Sequence, residues 1–128
     1  MMRSVIAAAF VLAAGSQANA QDLAAGEQSF KKCVACHAVG PDAKNKVGPV
    51  QNGLEGRKSG TIEGYSYTEA NKNSGIVWSE ATFREYIRDP KAKIPGTKMV
   101  FPGIKNETEI TNLWAYLKQF GPKGEKKS

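Results

Sequence analysis

The pentapeptide Cys33-Val34-Ala35-Cys36-His37 limits this chain more than any other feature. Two thiols three positions apart fall on one side of a helical turn, and an imidazole follows at once. That is the pattern of covalent haem attachment, with two thioethers to the vinyl groups on one porphyrin edge and His37 projecting over the iron. A thioether does not dissociate, which suits a protein working where lost haem is not easily replaced. Two other readings compete. A dithiol redox pair expects a βαβ context, and no such pattern is visible. A zinc site needs four ligands, whereas the chain holds two Cys and one His. A disulfide across so short a loop would add little stability.

Helix signals are few. Leu23, Gly26 and Phe30 keep a 3–4 spacing behind an Asp22 cap and lead into Cys33. Ser79 can cap a helix to Arg88 whose inner face is Phe83, Tyr86 and Ile87, with Asp89-Pro90 as its stop. Asn106 can cap the last helix, with Glu109 at the capping-box position and Ile110, Leu113, Trp114 and Leu117 as its apolar stripe. Thr68 caps a short turn through Asn73. Residues 40–66 and 89–105 are rich in Gly, Pro, Asn and Lys and show no alternation. Loops of that length are unusual in a compact domain unless they wrap a large object. The tail from Gly121 is Pro, Gly and charge and is expected to fray.

A six-coordinate haem needs a second axial ligand. Beyond the first two residues the chain has one Met, Met99, in the polar, Pro-rich loop that begins at Pro90. A thioether is a good donor opposite imidazole. Without Met99 the iron would be five-coordinate or bound by a Lys.

Arg3, the apolar run Val5 to Ala14 and the sequence Ala18-Asn19-Ala20 describe a secretory signal peptide cut after Ala20, and so a periplasmic protein. The apolar run is too short to span a bilayer. Residues 21–128 then form a single domain with 121–128 as its tail. Removal of residues 1–20 takes away Arg3 but no acid, so the net charge falls from +6 to +5. The remaining cations are fourteen Lys and three Arg. Nucleic-acid binders lean on Arg and aromatic platforms. A Lys-rich exported monomer fits acidic protein partners better.

The chain resembles the class I c-type cytochromes, most closely the bacterial soluble cytochromes of the c-two group near mitochondrial cytochrome c. The likeness runs from Gly26 to Lys118. It rests on Cys33–His37, Gly48-Pro49, Gly53-Leu54, Gly56-Arg57-Lys58, the stretch Tyr65 to Asn73, Trp78, Ile94 to Met99, and Ala115 to Lys118. The resemblance implies an all-α cytochrome c fold: crossed N- and C-terminal helices, one or two shorter helices, and long loops wrapping one covalent haem c. It implies that Gly26 lets Phe30 and Tyr116 pack closely and that His37 and Met99 ligate iron. It implies that the Pro49 carbonyl takes the His37 Nδ1–H. Arg57, Tyr67 and Trp78 resemble haem-propionate partners, Tyr86, Asn71 and Thr97 the polar network behind Met99, and Phe101 the aromatic shield of the haem edge. On position alone, Trp78 and Tyr86 have a second reading as core aromatics, and Arg57 one as a solvated charge. Three departures stand out: one residue fewer between Phe30 and Cys33 than in mitochondrial members, Glu55 at a commonly apolar position, and Pro102 after Phe101.

These features together point to a one-electron carrier rather than an enzyme. Two permanent ligands leave iron no open position, and His/Met ligation raises its potential. A peroxidase-like reading lacks a distal His and Arg pair, because His37 is the one His. Lys32, Lys46, Lys91, Lys93, Lys98 and Lys105, with Lys44, are expected to ring the haem edge and steer acidic partners. Those partners would be membrane redox complexes: a cytochrome bc-type donor, and an oxidase, reaction centre or dehydrogenase as acceptor.

Overall fold

The computed structural model describes residues 22–127; the signal-peptide reading of residues 1–20 lies outside them. Among these described residues five helices follow one another: α1 (Leu23–Phe30), α2 (Glu69–Lys72), α3 (Glu80–Arg88), α4 (Pro90–Lys93) and α5 (Glu107–Leu117). Among the described residues there is no β-strand, only the isolated bridges Lys58–Val77 and Phe120–Lys126.

Each helix starts where its side chains can satisfy the free N–H groups of a first turn. Asp22 accepts from the Ala25 amide, Thr68 from Asn71, and Ser79 from Thr82 in a full capping box. Asn106 accepts from the Glu109 amide and starts α5. The expected return bond from Glu109 to that cap is absent. Its carboxylate reaches instead to α1 and the turn after it, accepting from Ser29 Oγ at 2.9 Å and from Lys32. The Asp89-Pro90 pair ends α3, as expected, and also begins α4, a turn of helix inside a stretch that the sequence presents as loop. Asp89 caps the Ala92 amide, and Pro90 at the first helical position loses no bond it needed.

The helices pack because α1 and α5 cross at a residue without a side chain. A Cβ on Gly26 would stand 2.2 Å from the Asn112 carbonyl oxygen and 2.8 Å from Tyr116 Cβ. This close approach brings the Phe30 and Tyr116 rings to 5.5 Å between centroids. The apolar stripe of α5 completes the core: Ile110, Leu113, Trp114 and Leu117 are all buried, with Trp114 stacked against Phe83 of α3 at 5.2 Å.

The tail departs from expectation. Residues 121–127 fold back instead of projecting: Phe120 O accepts from Gly53 N, Gly121 N donates to Glu125 O, and Lys127 N donates to Gln119 O at 2.7 Å. Gly124 is buried against Gly40.

Two outcomes are expected from this packing. Gly26→Ala should cost about 1–3 kcal/mol, because the new methyl meets backbone that cannot yield without separating the helices; denaturant melts of the holoprotein measure it. Lys32 first, and Ser29 beside it, hold the Glu109 carboxyl below the usual glutamate range. An unfolded chain therefore binds that proton more readily. The stability contributed by Glu109 is complete above about pH 4.3 and drains away as pH falls through its lower folded value. The stability gap between the native protein and Glu109→Gln should be open at pH 7 and closed in strong acid. A gap independent of pH would refute the assignment.

Candidate functional site

The pentapeptide continues α1 as a tight turn. Cys33 N donates to Phe30 O at 2.7 Å, and His37 N donates to Cys33 O at 2.8 Å. Cys33 and Cys36 both line a cavity of about 460 Å³ together with His37. Burial pushes the Cys33 thiol up to about 11, with Lys32 pulling the other way.

A second segment, 48–52, is zipped onto the turn. Gly48 N donates to Cys36 O, and Gln51 N to Ala38 O. The buried Asn52 amide then takes both polar groups of Gly40, accepting from its N–H at 2.9 Å and donating to its carbonyl at 2.8 Å. The result places the Pro49 carbonyl 2.8 Å from His37 Nδ1. A carbonyl only accepts, so Nδ1 carries the hydrogen and Nε2 keeps its lone pair. Burial holds the imidazole below its ordinary pKa, against the opposing pull of the Pro49 bond, and so keeps it neutral. Gly48 leaves room for the ring, since a Cβ there would stand 2.3 Å from His37 Cε1.

A third segment carries Met99. It is anchored at its ends by two buried residues, Ile94, whose amide bonds Pro90 O, and Ile104, whose amide bonds Ile87 O at 2.8 Å. Between them Met99 lines the same cavity. The Tyr86 hydroxyl donates to Met99 Sδ at 3.1 Å and lies 3.4 Å from Thr97 Oγ1. Burial raises the Tyr86 pKa, with its bond to Thr97 opposing, and so keeps it a donor. Asn71 and Phe101 also line the cavity.

Pro49, Arg57, Tyr67 and Trp78 are not in that lining. Trp78 is buried edge-on to Tyr86 at 5.1 Å. The Tyr67 hydroxyl accepts from Ile62 N at 3.1 Å. Arg57 Nη1 donates to the Val50 and Asn52 carbonyls, while its Nε is buried with no partner. Burial also pulls the guanidinium below its usual pKa. A desolvated cation with its Nε–H unspent is the donor chemistry that a buried carboxylate requires.

Sequence reasoning misses Tyr65, Val47 and Val100 among the lining residues. Val47 and Val100 are 72% and 88% exposed, so they mark the mouth. Nothing in their spacing signals this. Tyr65 stands inside a recognised motif without a role. Of the lysines, Lys32 and Lys98 line the cavity. Lys32 is paired with Glu109 and Lys93 with Glu85. Lys46, Lys98 and Lys105 are tied to the carbonyls of Val34, Ser66 and Arg88. Lys44 and Lys91 are exposed.

The donors present fit a covalently attached haem: two thiols and a neutral imidazole on one turn, a thioether on another segment, and apolar residues between them.

A family model described as Cytochrome c matches residues 23–121. The chain is 64% identical over 127 residues to a cytochrome c2 of Blastochloris viridis, covering 98% of this chain and all of that protein. It is 71% identical over 102 residues to a cytochrome c-550 of Bradyrhizobium diazoefficiens, covering 80% of this chain and 75% of that one. Among solved structures, a cytochrome c2 from Rhodospirillum centenum superposes with a TM-score of 0.73 at 42% identity, covering 79% of this chain and 99% of the other.

The loop that presents Pro49 depends on one amide. Asn52→Ala should strand the Gly40 N–H, leave the Gly40 carbonyl only its bond from the Ala43 amide, and cost about 1–3 kcal/mol. The Gly40 and Gln51 amides should exchange faster than those of α5; equal exchange at both places would show that Asn52 does not hold the loop.

Proposed function

The chain belongs to the cytochrome c family, and on that premise we propose that it is a soluble periplasmic carrier of single electrons in which His37 and Met99 hold iron from opposite sides. Members of the family carry one covalent haem c and transfer electrons; they are not enzymes. Cys33 and Cys36 are the thioether positions. Bound there, haem c supplies an iron that gains and loses one electron.

The observation that carries the ligand reading is the pairing of two oriented donors on one cavity. His37 is held by Pro49 with Nε2 unprotonated, and Met99 by the Tyr86 hydroxyl. The two come from separately anchored segments. Neither segment needs to move when the charge between them changes, which suits fast transfer. The apolar lining favours the less charged state and supports a high potential. Arg57 Nε suits one propionate, with Tyr67 and Trp78 beyond the cavity in supporting places. Asn71 and Thr97 continue the polar network of Tyr86, and Phe101 shields the mouth.

Export rests on Arg3, the apolar run and Ala18-Asn19-Ala20. No helix among the described residues is long and apolar enough to cross a membrane. The partners are membrane redox complexes with acidic docking surfaces. A cytochrome bc-type complex is the donor; an oxidase, a reaction centre or a dehydrogenase is the acceptor. The carrier acts as a monomer. Lys46, Lys98 and Lys105 bind neutral carbonyls and so keep their whole charge, whereas Lys32 and Lys93 share theirs with Glu109 and Glu85.

One spectrum of the purified holoprotein tests the ligation. Sharp α and β bands are expected on reduction, and a weak far-red iron–thioether band on oxidation that Met99→Ala abolishes. A high-spin spectrum in the native protein would sink the reading. Charge reversal at Lys46 or Lys98 should slow reduction by a bc-type complex and flatten its salt dependence. Unchanged rates would move the docking face elsewhere.

A further inference from the structure

Tyr65 touches both rims of the cavity mouth. Its hydroxyl donates to the Val47 carbonyl at 2.6 Å. Val47 directly precedes Gly48, the residue against which the His37 ring lies. Over its face, 4.6 Å from the centroid, sits the Lys98 ammonium, which also bonds the Ser66 carbonyl. Lys98 directly precedes Met99. The ring is itself braced edge-on by Tyr67, with centroids 4.7 Å apart. A second thread runs the same way: Asn45 Nδ2 donates to Glu63 O at 3.2 Å.

The segments so joined have little else between them. Residues 97–101 are in no helix, and the Met99 amide finds only a long 3.4 Å bond to Thr97 Oγ1. The anchors at Ile94 and Ile104 fix the ends of the arch, not its middle. A segment of this kind opens locally at low free energy unless something crosses its middle. Inside the cavity the Tyr86 hydroxyl holds Met99 Sδ; across the mouth, Tyr65 and Lys98 make the crossing.

We propose that Tyr65 is a clasp across the cavity mouth, its hydroxyl fixing the rim beside His37 and its ring seating the Lys98 cation, so that the arch carrying Met99 stays shut. Tyr65 is a positioning residue: it acts on Met99 through Lys98 and donates nothing to iron. The clasp rests on Met99 being a ligand. An open arch lets a small neutral donor replace the thioether; a closed one excludes it.

The test uses oxidised holoprotein and imidazole at a pH above the probe's own pKa, where it is neutral and so indifferent to the charge lost in a lysine variant. Imidazole replaces Met99 only when the arch opens, so its apparent affinity reads the open population. Tyr65→Phe removes the hydroxyl bond alone and should raise that affinity about two- to tenfold. Tyr65→Leu removes the cation seat as well and should raise it further. Lys98→Gln should shift it in the same direction. Amide exchange should quicken at Gly48 and Met99 and stay unchanged from Ile110 to Leu117. Native imidazole affinity in Tyr65→Phe and Tyr65→Leu would overturn the clasp, as would exchange that quickens equally in α5, the mark of general destabilisation. Met99→Ala separates the two ideas. If it abolishes the far-red band while the Tyr65 variants behave as the native protein, the clasp alone falls. If it leaves the band intact, the ligation and the clasp fall together.

Discussion

The crossing of α1 and α5 is the constraint from which the site is built. An eight-residue helix such as α1 is not stable by itself. It persists because Gly26 lets its backbone lie against Asn112 and Tyr116, and because bonds across the crossing fix its rotation. Asp22 N donates to Asn112 Oδ1 at one end, and Ser29 and Lys32 meet Glu109 at the other. Cys33 then follows with its amide bonded to Phe30, so the azimuth of α1 decides where both thiols and His37 lie. Glu109 would have served α5 as half of a capping box. Used across the crossing instead, it couples the start of one helix to the turn after another.

Opposite the crossing, the cavity is walled by segments with almost no repetitive structure. Many of their polar groups are bonded one by one: Asn52 to Gly40, Arg57 Nη1 to two carbonyls, and Met99 sulfur to Tyr86 of α3. Such loops bury little apolar area against each other, and the buried helical residues lie mainly in α3 and α5. A chain of this size cannot enclose a large apolar void at no cost, since voids forfeit contacts on one side. The bound cofactor therefore completes the core as well as the function.

The helix starts are legible because capping is local chemistry. Asp22, Thr68, Ser79 and Asn106 each cap the helix that follows, and the stripe of α5 is buried residue for residue. The pentapeptide locates the cavity for the same reason. Sequence reasoning fails where a residue serves something distant. Pro90 reads as a stop because its role as a first helical residue depends on Asp89 capping forward. The tail looks free to fray because its partners, Gly40 and Gly53, lie far back in the sequence. Arg57 and Trp78 carry no local mark that separates a cavity wall from the layer behind it. Tyr65 escapes notice because its two partners, at 47 and 98, approach from opposite directions along the chain.

The imbalance between Lys and Arg acquires a structural meaning. All three arginines of the described chain do internal work. Arg57 is sunk among carbonyls, Arg84 joins Glu80, Glu107 and Thr111, and Arg88 pairs with Glu107. The planar fork of a guanidinium serves such multiple bonds and holds them. A surface that must bind a partner briefly and release it is better served by ammonium groups, which are strongly hydrated and bind as point charges. Where lysines meet acids in the same chain, as at Lys32 and Lys93, the local field is compensated. Where they lean on neutral carbonyls, as at Lys46 and Lys98, they are oriented without being neutralised. At these lysines position and charge are thus set independently.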